Sequence, residues 1–328
     1  AVSKDEGIRW GIIGTGGIAR AFAKDLTNYT NQKIAAVGSR NIETAEKFAA
    51  QYEARPFGSY EALVNAEIDA VYVATPHVFH AANTILALTA GKPVLVEKPF
   101  AINATQAREM IGVARKANLL LMEAMWSRYL PHFQKIREIV GSGELGEIVE
   151  VIAEHGQPLP YPKYLRLHEP ELGGGALLDL GIYPLSFAFM VLGNPIEVKA
   201  ISKPTASGVD ATTSAFLNFK NGAQALINTT LETKTACTAQ IIGSKGRIEI
   251  DGDFYTPTSM RLIKSDKSVI EFSNNYQGHG LREQALYFGE LLRSGKSDSD
   301  LLSLDETLEI MVCMDEIRNQ IGLKYPIE

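Results

Sequence analysis

The sequence predicts an α/β protein, with an N-terminal Rossmann domain over 1–125 and a C-terminal α+β domain over 126–328 built on an open, mostly antiparallel sheet. Three observations carry that prediction. Over roughly the first 120 residues, apolar runs of strand length alternate with helix-forming stretches, the pattern of a parallel sheet wound with helices. A glycine-rich turn, Gly14-Thr15-Gly16-Gly17-Ile18-Ala19, joins the first such run to the first such helix. Later segments are short, often alternate in polarity and are separated by turn signals such as Asn221-Gly222 and Lys245-Gly246. The length of 328 residues, 45% of them hydrophobic and 21% charged, suits two domains of ordinary size.

The strand expected over 8–13 and the helix expected over 19–26 give the glycine turn the context of a dinucleotide fingerprint. Gly14 makes the tight turn and Gly16 lets backbone amides approach a pyrophosphate. Gly17 and Ile18 complete the turn, and Ala19 permits close helix-to-strand packing. The helix N-terminus, with its unpaired N–H groups and macrodipole, favours an anion. Such a turn can also be purely structural, and its strand-turn-helix setting is what favours the functional reading. The second strand, 33–38, ends in Ser39-Arg40, near the offset of about 20 residues where an NAD-preferring site carries an acid for the ribose hydroxyls. That acid is missing. A hydroxyl and a planar guanidinium suit a 2′-phosphate, so NADP is the expected cofactor; if Arg40 only meets solvent, NAD is accepted too.

The segment 68–74 reads as a buried parallel strand running into Thr75-Pro76-His77-Val78-Phe79-His80, before a helix over 81–89. This loop lies at a strand's carboxyl end, where open α/β sheets hold ligands, so Thr75, Pro76 and His80 join the expected cofactor site. His77 and His80 are three apart, but no third ligand follows at suitable spacing, and no metal is expected. The two histidines either line the nicotinamide side of the site or cap the next helix. The apolar run 94–96 then closes on Glu97-Lys98-Pro99. Lys98 is either an ammonium presented at a strand's carboxyl end or a surface lysine in a tight turn.

Residues 94–100, with the Gly14 turn and Thr75-Pro76, resemble the glucose-fructose oxidoreductase, inositol dehydrogenase and rhizopine-catabolism family of nicotinamide enzymes, over nearly the whole chain. Two segments, Met122-Glu123-Ala124-Met125-Trp126-Ser127-Arg128-Tyr129 and Gly173-Gly174-Gly175-Ala176-Leu177-Leu178-Asp179-Leu180-Gly181-Ile182-Tyr183, are similar to the branch with dimeric dihydrodiol dehydrogenase and NADP-dependent xylose dehydrogenase. The resemblance implies a catalytic lysine at Lys98, a tyrosine at Tyr183 where many relatives have histidine, and an acidic partner at Asp179. Glu97 and Lys98 would also border the cofactor. It further implies hydride transfer between nicotinamide and a secondary alcohol or carbonyl of a sugar, polyol or vicinal diol, and a homodimer formed through the C-terminal sheet.

Elementary chemistry fits that assignment. Oxidising a secondary alcohol requires a group that accepts the hydroxyl proton as hydride leaves. A tyrosine with a pKa near 10 is a poor base, but a nearby ammonium favours its phenolate, which Lys98 could provide. Asp179 and Tyr183 are four apart and share one face if the segment is helical, where Asp179 could orient Lys98 or bond the substrate. The plainer alternative is a core tyrosine and an acid near a helix start. Pro184 predicts a kink at Tyr183.

Trp126, Arg128 and His155 are the candidates for contact with substrate, and His155, where the dihydrodiol branch has an apolar aromatic, favours sugars or polyols over aromatic diols; a surface histidine is the alternative. Arg166, His168 and His279 are weaker candidates, and Phe254 and Tyr255 either line the pocket or pack the sheet. A formal charge of −6 with interspersed signs gives no basic stripe for nucleic acid. Two distant cysteines, Cys237 and Cys313, indicate neither a disulfide framework nor zinc. The start Ala1-Val2-Ser3-Lys4-Asp5-Glu6 leads toward a strand without an apolar signal core, and no run approaching the ~20 apolar residues of a membrane span is read. A soluble, cytoplasmic protein is expected. Two other functions stay open: a non-catalytic dinucleotide-binding sensor, which would not need Lys98, Asp179 and Tyr183 together, and an NAD-assisted glycosidase.

Overall fold

The computed structural model describes residues 7–328; the expectation for the N-terminal segment 1–6 lies outside the described residues. The chain divides into two units, Ala1–Tyr129 with Gly278–Leu308, and Leu130–Gln277 with Glu309–Glu328. A single cut at 125/126 therefore differs from the observed division. The first stretch runs four residues further, and a late segment returns to it.

The first unit alternates β1 (Arg9–Ile13), α1 (Gly17–Tyr29), β2 (Lys33–Gly38), α2 (Ile42–Ala50), β3 (Arg55–Phe57), α3 (Tyr60–Val64), β4 (Ala70–Val73), α4 (His80–Thr89), β5 (Val94–Glu97), α5 (Ala104–Ala117) and β6 (Leu121–Ala124). Its six strands are all parallel in the order β3-β2-β1-β4-β5-β6. The order reverses between β1 and β4, so the loops that follow those strands open at the topological switch point where such sheets hold ligands. Strands β4, β5 and β6 are buried along their whole length, which explains their near-continuous apolar runs. Helices α2, α3 and α5 start at Asn41, Ser59 and Asn103, whose side chains accept from the Glu43, Ala62 and Gln106 N–H groups. Helix α1 starts at Gly16 with no side-chain cap and no acid in its first turn.

The second unit contains α6 (Pro131–Ser142), β7 (Ile148–Gly156), the short α7 (Leu165–His168), α8 (Ile182–Leu192), β8 (Glu197–Pro204), β9 (Asp210–Asn218), β10 (Gln224–Thr230), β11 (Ala239–Gly243), β12 (Gly246–Ile250), β13 (Met260–Lys264) and β14 (Val269–Phe272). The strands form one sheet in the order β14-β13-β12-β11-β7-β10-β9-β8, antiparallel except for the β7/β10 pair. Register places Val198, Leu217, Ala225, Val151, Ile241, Ile248 and Leu262 in one row, all buried. The neighbouring row, Lys199, Phe216, Leu226, Ile152, Gln240, Glu249 and Arg261, lies on the opposite face and is wetter. One segment, Pro170–Leu192, is long and apolar enough by length and composition to cross a bilayer, unlike the sequence expectation; 72% of its most apolar window is buried inside the protein.

Helices α9 (Arg282–Arg293) and α10 (Leu304–Ile321) close the chain. The return of 278–308 to the first unit rests on buried polar and aromatic pairs. Asp25, 3% exposed in α1, accepts from the backbone N–H groups of His279 and Arg282 and pairs with the Arg282 guanidinium at 3.1 Å. Trp10 packs on Phe288 at 5.0 Å between centroids, and Gln32 bridges the Trp10 indole N–H to the Ala285 carbonyl.

Candidate functional site

At the end of β1, Gly14 has φ +107°, and a Cβ there would sit 2.6 Å from the Ala74 carbonyl oxygen. Only glycine can hold that turn against the neighbouring strand. At Gly16 the situation is opposite: a Cβ would meet no atom within 4 Å. The first N–H groups of α1 thus face open space without a side-chain cap, a setting that fits a pyrophosphate. Gly17 is exposed beside it, and Ile18 is half-buried.

Ser39 and Arg40 follow β2. Ser39 Oγ accepts the Asn41 N–H at 3.3 Å, whereas Arg40 is exposed, with its guanidinium 5.9 Å from the Phe79 ring centroid. The Tyr60 hydroxyl also lies near that guanidinium. Phe79, which no sequence signal singles out, is itself 39% exposed.

The loops after β4 and β5 are tied together by His80. Its ring is fully buried, with Nδ1 2.7 Å from the Pro99 carbonyl and Nε2 2.8 Å from the Thr75 carbonyl. His80 therefore fixes the loops that carry Thr75, Pro76 and Lys98 rather than presenting its ring to solvent. Asn83 adds a hydrogen bond to Thr75 Oγ1 at 3.1 Å. Glu97 also turns inward: Oε1 accepts from the Tyr72 hydroxyl at 2.5 Å, and Oε2 accepts the Lys98 N–H at 3.1 Å. The Lys98-Pro99 peptide is cis.

Trp126 and Arg128 lie in a short 3₁₀ turn that belongs to the first unit, not the second as expected. Trp126 is 4% exposed and packs on His279 at 5.3 Å, which draws that weaker candidate to the same place. Arg128 is 2% exposed, bonded to Glu306 Oε2 at 2.8 Å and to the Leu301 carbonyl at 2.9 Å. The guanidinium expected to meet substrate is thus held in the interior by an ion pair.

In the second unit the glycine run 173–175 fits against a buried acid. Gly175 has φ +106°, and a Cβ on it would collide with Asp210 Oδ1. Asp210 accepts the Leu177 N–H at 2.8 Å and the Thr213 hydroxyl at 2.7 Å, and burial pushes its carboxyl above the usual range. From there Leu177–Gly181 forms a π-helical turn that runs into α8, in which the Ile182 N–H reaches the Leu177 carbonyl. This wide turn is how the chain accommodates Pro184, which cannot donate its own helical bond. Asp179 lies on that turn, 3.8 Å from the Arg166 guanidinium.

Tyr183 is 8% exposed and sits in an aromatic block. Its ring lies 5.1 Å from His155 and 4.7 Å from Tyr255, and those two stack at 3.9 Å. The Gln157 amide donates to the Tyr255 hydroxyl at 2.7 Å and lies 3.3 Å from His155 Nε2. His155 is 3% exposed, which removes the surface alternative, and Tyr255 belongs with it. Burial, together with Cys237 and Asp253 nearby, raises the Tyr255 phenol. Gln157 carries no signal in the sequence because its role exists only once the sheet has placed it. Among the described residues, no three His, Cys, Asp or Glu side chains gather as a metal site.

Comparison with known proteins places the chain. Residues 8–125 match the family model described as an oxidoreductase family with an NAD-binding Rossmann fold, and residues 133–249 match the GFO/IDH/MocA C-terminal domain. The chain is 35% identical to the NADP(+) D-xylose 1-dehydrogenase of Hypocrea jecorina, over 97% of this chain and 93% of that protein. It is 31% identical to human trans-1,2-dihydrobenzene-1,2-diol dehydrogenase, over 97% and 98%. Among solved structures it resembles KijD10, a 3-ketoreductase from Actinomadura kijaniata in complex with NADP and TDP-benzene, with 28% identity, TM-score 0.85 and coverage of 96% and 98%. The aldose-aldose oxidoreductase from Caulobacter crescentus, complexed with glycerol, gives 25% identity, TM-score 0.87 and coverage of 97% and 98%. With both halves of the chain matched and a Rossmann sheet carrying the glycine turn, the protein belongs to the Gfo/Idh/MocA oxidoreductase family.

Proposed function

We propose that this protein is an NADP-dependent dehydrogenase or reductase acting on a secondary alcohol or carbonyl of a sugar, polyol or vicinal diol. The observation that carries the reading is the open, uncapped α1 N-terminus at Gly16 in a chain that also has Lys98, Asp179 and Tyr183. The activities printed for the xylose and dihydrodiol dehydrogenases point to the same substrate class. Bound nicotinamide supplies the acceptor or donor of hydride. In this reading Lys98 supplies an ammonium, and Tyr183 supplies the hydroxyl that takes the alcohol proton or returns it to the developing alkoxide. Asp179 is the acidic partner in this reading, and it lies 3.8 Å from the Arg166 guanidinium. A sensor without catalysis has no use for these three groups.

Arg40 reads the 2′-phosphate, supported by its exposure and by the absence of an acid at the end of β2. Arg40→Ala is expected to weaken NADP about tenfold in competition titrations, or roughly 1.4 kcal/mol, with NAD nearly unchanged. Equal losses for both cofactors would remove the assignment. NAD remains a second cofactor at this site. The buried His155 beside Tyr183 favours a hydroxyl-rich substrate. A screen of aldoses, polyols and diols at the reduced-nicotinamide absorbance band, with NADP and with NAD, tests the whole reading; no turnover on any of them sinks it.

A second copy of the chain is the partner proposed for the open sheet face, where Ile201 is 77% and Phe216 55% exposed. Phe216→Glu is expected to convert the dimer to monomer in light scattering. Two buried free thiols, Cys237 and Cys313, support the cytoplasm as its compartment.

A further inference from the structure

A buried phenol in the segment after α10 belongs neither to the nucleotide loops nor to the aromatic block around Tyr183. Tyr325 is 1% exposed, and its hydroxyl donates to the Gly174 carbonyl at 2.7 Å. Its own place is fixed from α10. The Tyr325 N–H donates to Glu328 Oε2 at 2.9 Å, and the Arg318 guanidinium lies 4.7 Å from the ring centroid. Arg318 is 5% exposed and donates to both carboxylate oxygens of Glu328, at 2.7 and 2.9 Å. A guanidinium held bidentately in the interior keeps one geometry, so the phenol packed on it is aimed at one carbonyl.

The accepting carbonyl sits in the glycine run between α7 and the π-helical turn. The Gly174 and Gly175 N–H groups donate to the Glu169 and Leu167 carbonyls at 3.1 and 2.8 Å, and a Cβ on Gly174 would lie 2.6 Å from the Leu167 oxygen. Leu167 packs in turn with Ala176 and Leu180, so α7 and the π-helical turn form one packed body around this run. Arg166 stands on α7 and Asp179 on the turn, 3.8 Å apart. Successive glycines have little backbone preference of their own, so bonds from outside must choose their orientation. Asp210 does so at the Leu177 N–H, and Tyr325 at the Gly174 carbonyl. We propose that Tyr325 is a positioning residue for proton transfer: by holding the Gly174 carbonyl it fixes the turn that sets Asp179 beside Arg166 and leads into Tyr183. The proposal rests on the reading of Asp179 and Tyr183 as parts of the proton relay. Proton transfer requires groups within hydrogen-bond reach, so a small displacement of the relay lowers its rate without weakening the cofactor.

The test uses the full-length protein saturated with NADP. Tyr325→Phe deletes the hydroxyl and keeps the ring on Arg318. Single-turnover hydride transfer is expected to fall about tenfold, with NADP affinity within about twofold of the original. In an Asp179→Asn background the same change should cost less than about twofold, because the group it positions is already lost. A merely structural role would lower the rate equally in both backgrounds. Amide exchange over 173–183 should quicken severalfold in Tyr325→Phe, with β7 and β10 unchanged. Glu328→Gln, which loosens Arg318 instead, should act in the same direction by about threefold; it keeps the proposal testable if Tyr325→Phe does not fold. Undiminished hydride transfer in Tyr325→Phe, equal losses in the two backgrounds, or unchanged exchange over 173–183 would each overturn the proposal. The exchange measurement needs no turnover. Absent activity in the unaltered protein would defeat the oxidoreductase reading and this proposal together, whereas full activity with unchanged exchange in Tyr325→Phe defeats this proposal alone.

Discussion

The surroundings of Lys98 and of Tyr183 are built from different forces. Around Lys98 the first unit buries charge and carbonyls: Glu97 on Tyr72 and a backbone N–H, His80 between two carbonyl oxygens, Glu123 on Thr307, and Arg128 on Glu306. Around Tyr183 the second unit packs rings, with His155 and Tyr255 in contact and Gln157 bonded to both of those rings. A buried polar network is sensitive to ionisation because each member left unpaired carries its full desolvation cost. Stacked rings are sensitive mainly to shape. The first region is therefore the one whose packing depends most on ionisation, and the second the one whose packing depends most on shape.

The largest test is chemical. Lys98→Met is expected to lower kcat about 10³-fold, with dinucleotide affinity within a few-fold of the original, and Tyr183→Phe to act in the same direction by about 10²-fold. Stopped-flow hydride transfer and fluorescence titration of NADPH separate the two quantities. Unaltered turnover in either variant breaks the relay.

Next in size is the charge that binds 278–308 to the first unit. Asp25→Ala removes the buried carboxylate that holds Arg282 and the His279 and Arg282 N–H groups, leaving the guanidinium with Glu283 at 3.7 Å, and denaturant unfolding should lose about 3–5 kcal/mol. A loss below about 1 kcal/mol would mean that the segment is held by Trp10, Phe288 and Gln32 instead.

The pH arm follows from Glu123, whose carboxyl is raised from 4.5 to about 7. A raised acid means that the folded state holds a proton which the unfolded chain releases. Stability from this group is complete below about pH 4.5 and is lost as pH climbs to about 7, by roughly 3 kcal/mol. Glu123→Gln should remove that decline from a pH series of unfolding curves, and an unchanged decline assigns it to other groups.

The smallest effect belongs to the aromatic side. His155→Phe keeps a ring between Tyr183 and Tyr255 and is expected to cost under about 1.5 kcal/mol of stability, while shifting preference from polyols toward less polar diols. A large loss of stability would show that Gln157 and His155 form a polar network as demanding as the one around Lys98.

Much of the framework is legible in local pattern. The alternation of strand and helix leads to the parallel sheet. Other elements give too little signal. Strand β14, Val269–Phe272, is an edge strand with three of its four residues exposed, so no buried face marks it. Strand β3 has three residues and a proline, and β6 carries a glutamate inside an apolar run, which obscures a strand. Gly14 and Lys98 are legible from their places at strand ends, whereas Tyr183 is legible only through the family resemblance.

The sequence alone determined the winding of the first sheet, the glycine turn and the polarity of each strand, because these depend on neighbours within a few residues. The tertiary structure alone decided that Arg128 turns inward to Glu306, that His80 clamps two loops and that Asp25 draws residues 278–308 back to the first unit. Such choices depend on which buried donor meets which acceptor across tens to hundreds of residues, and no local pattern specifies that partner.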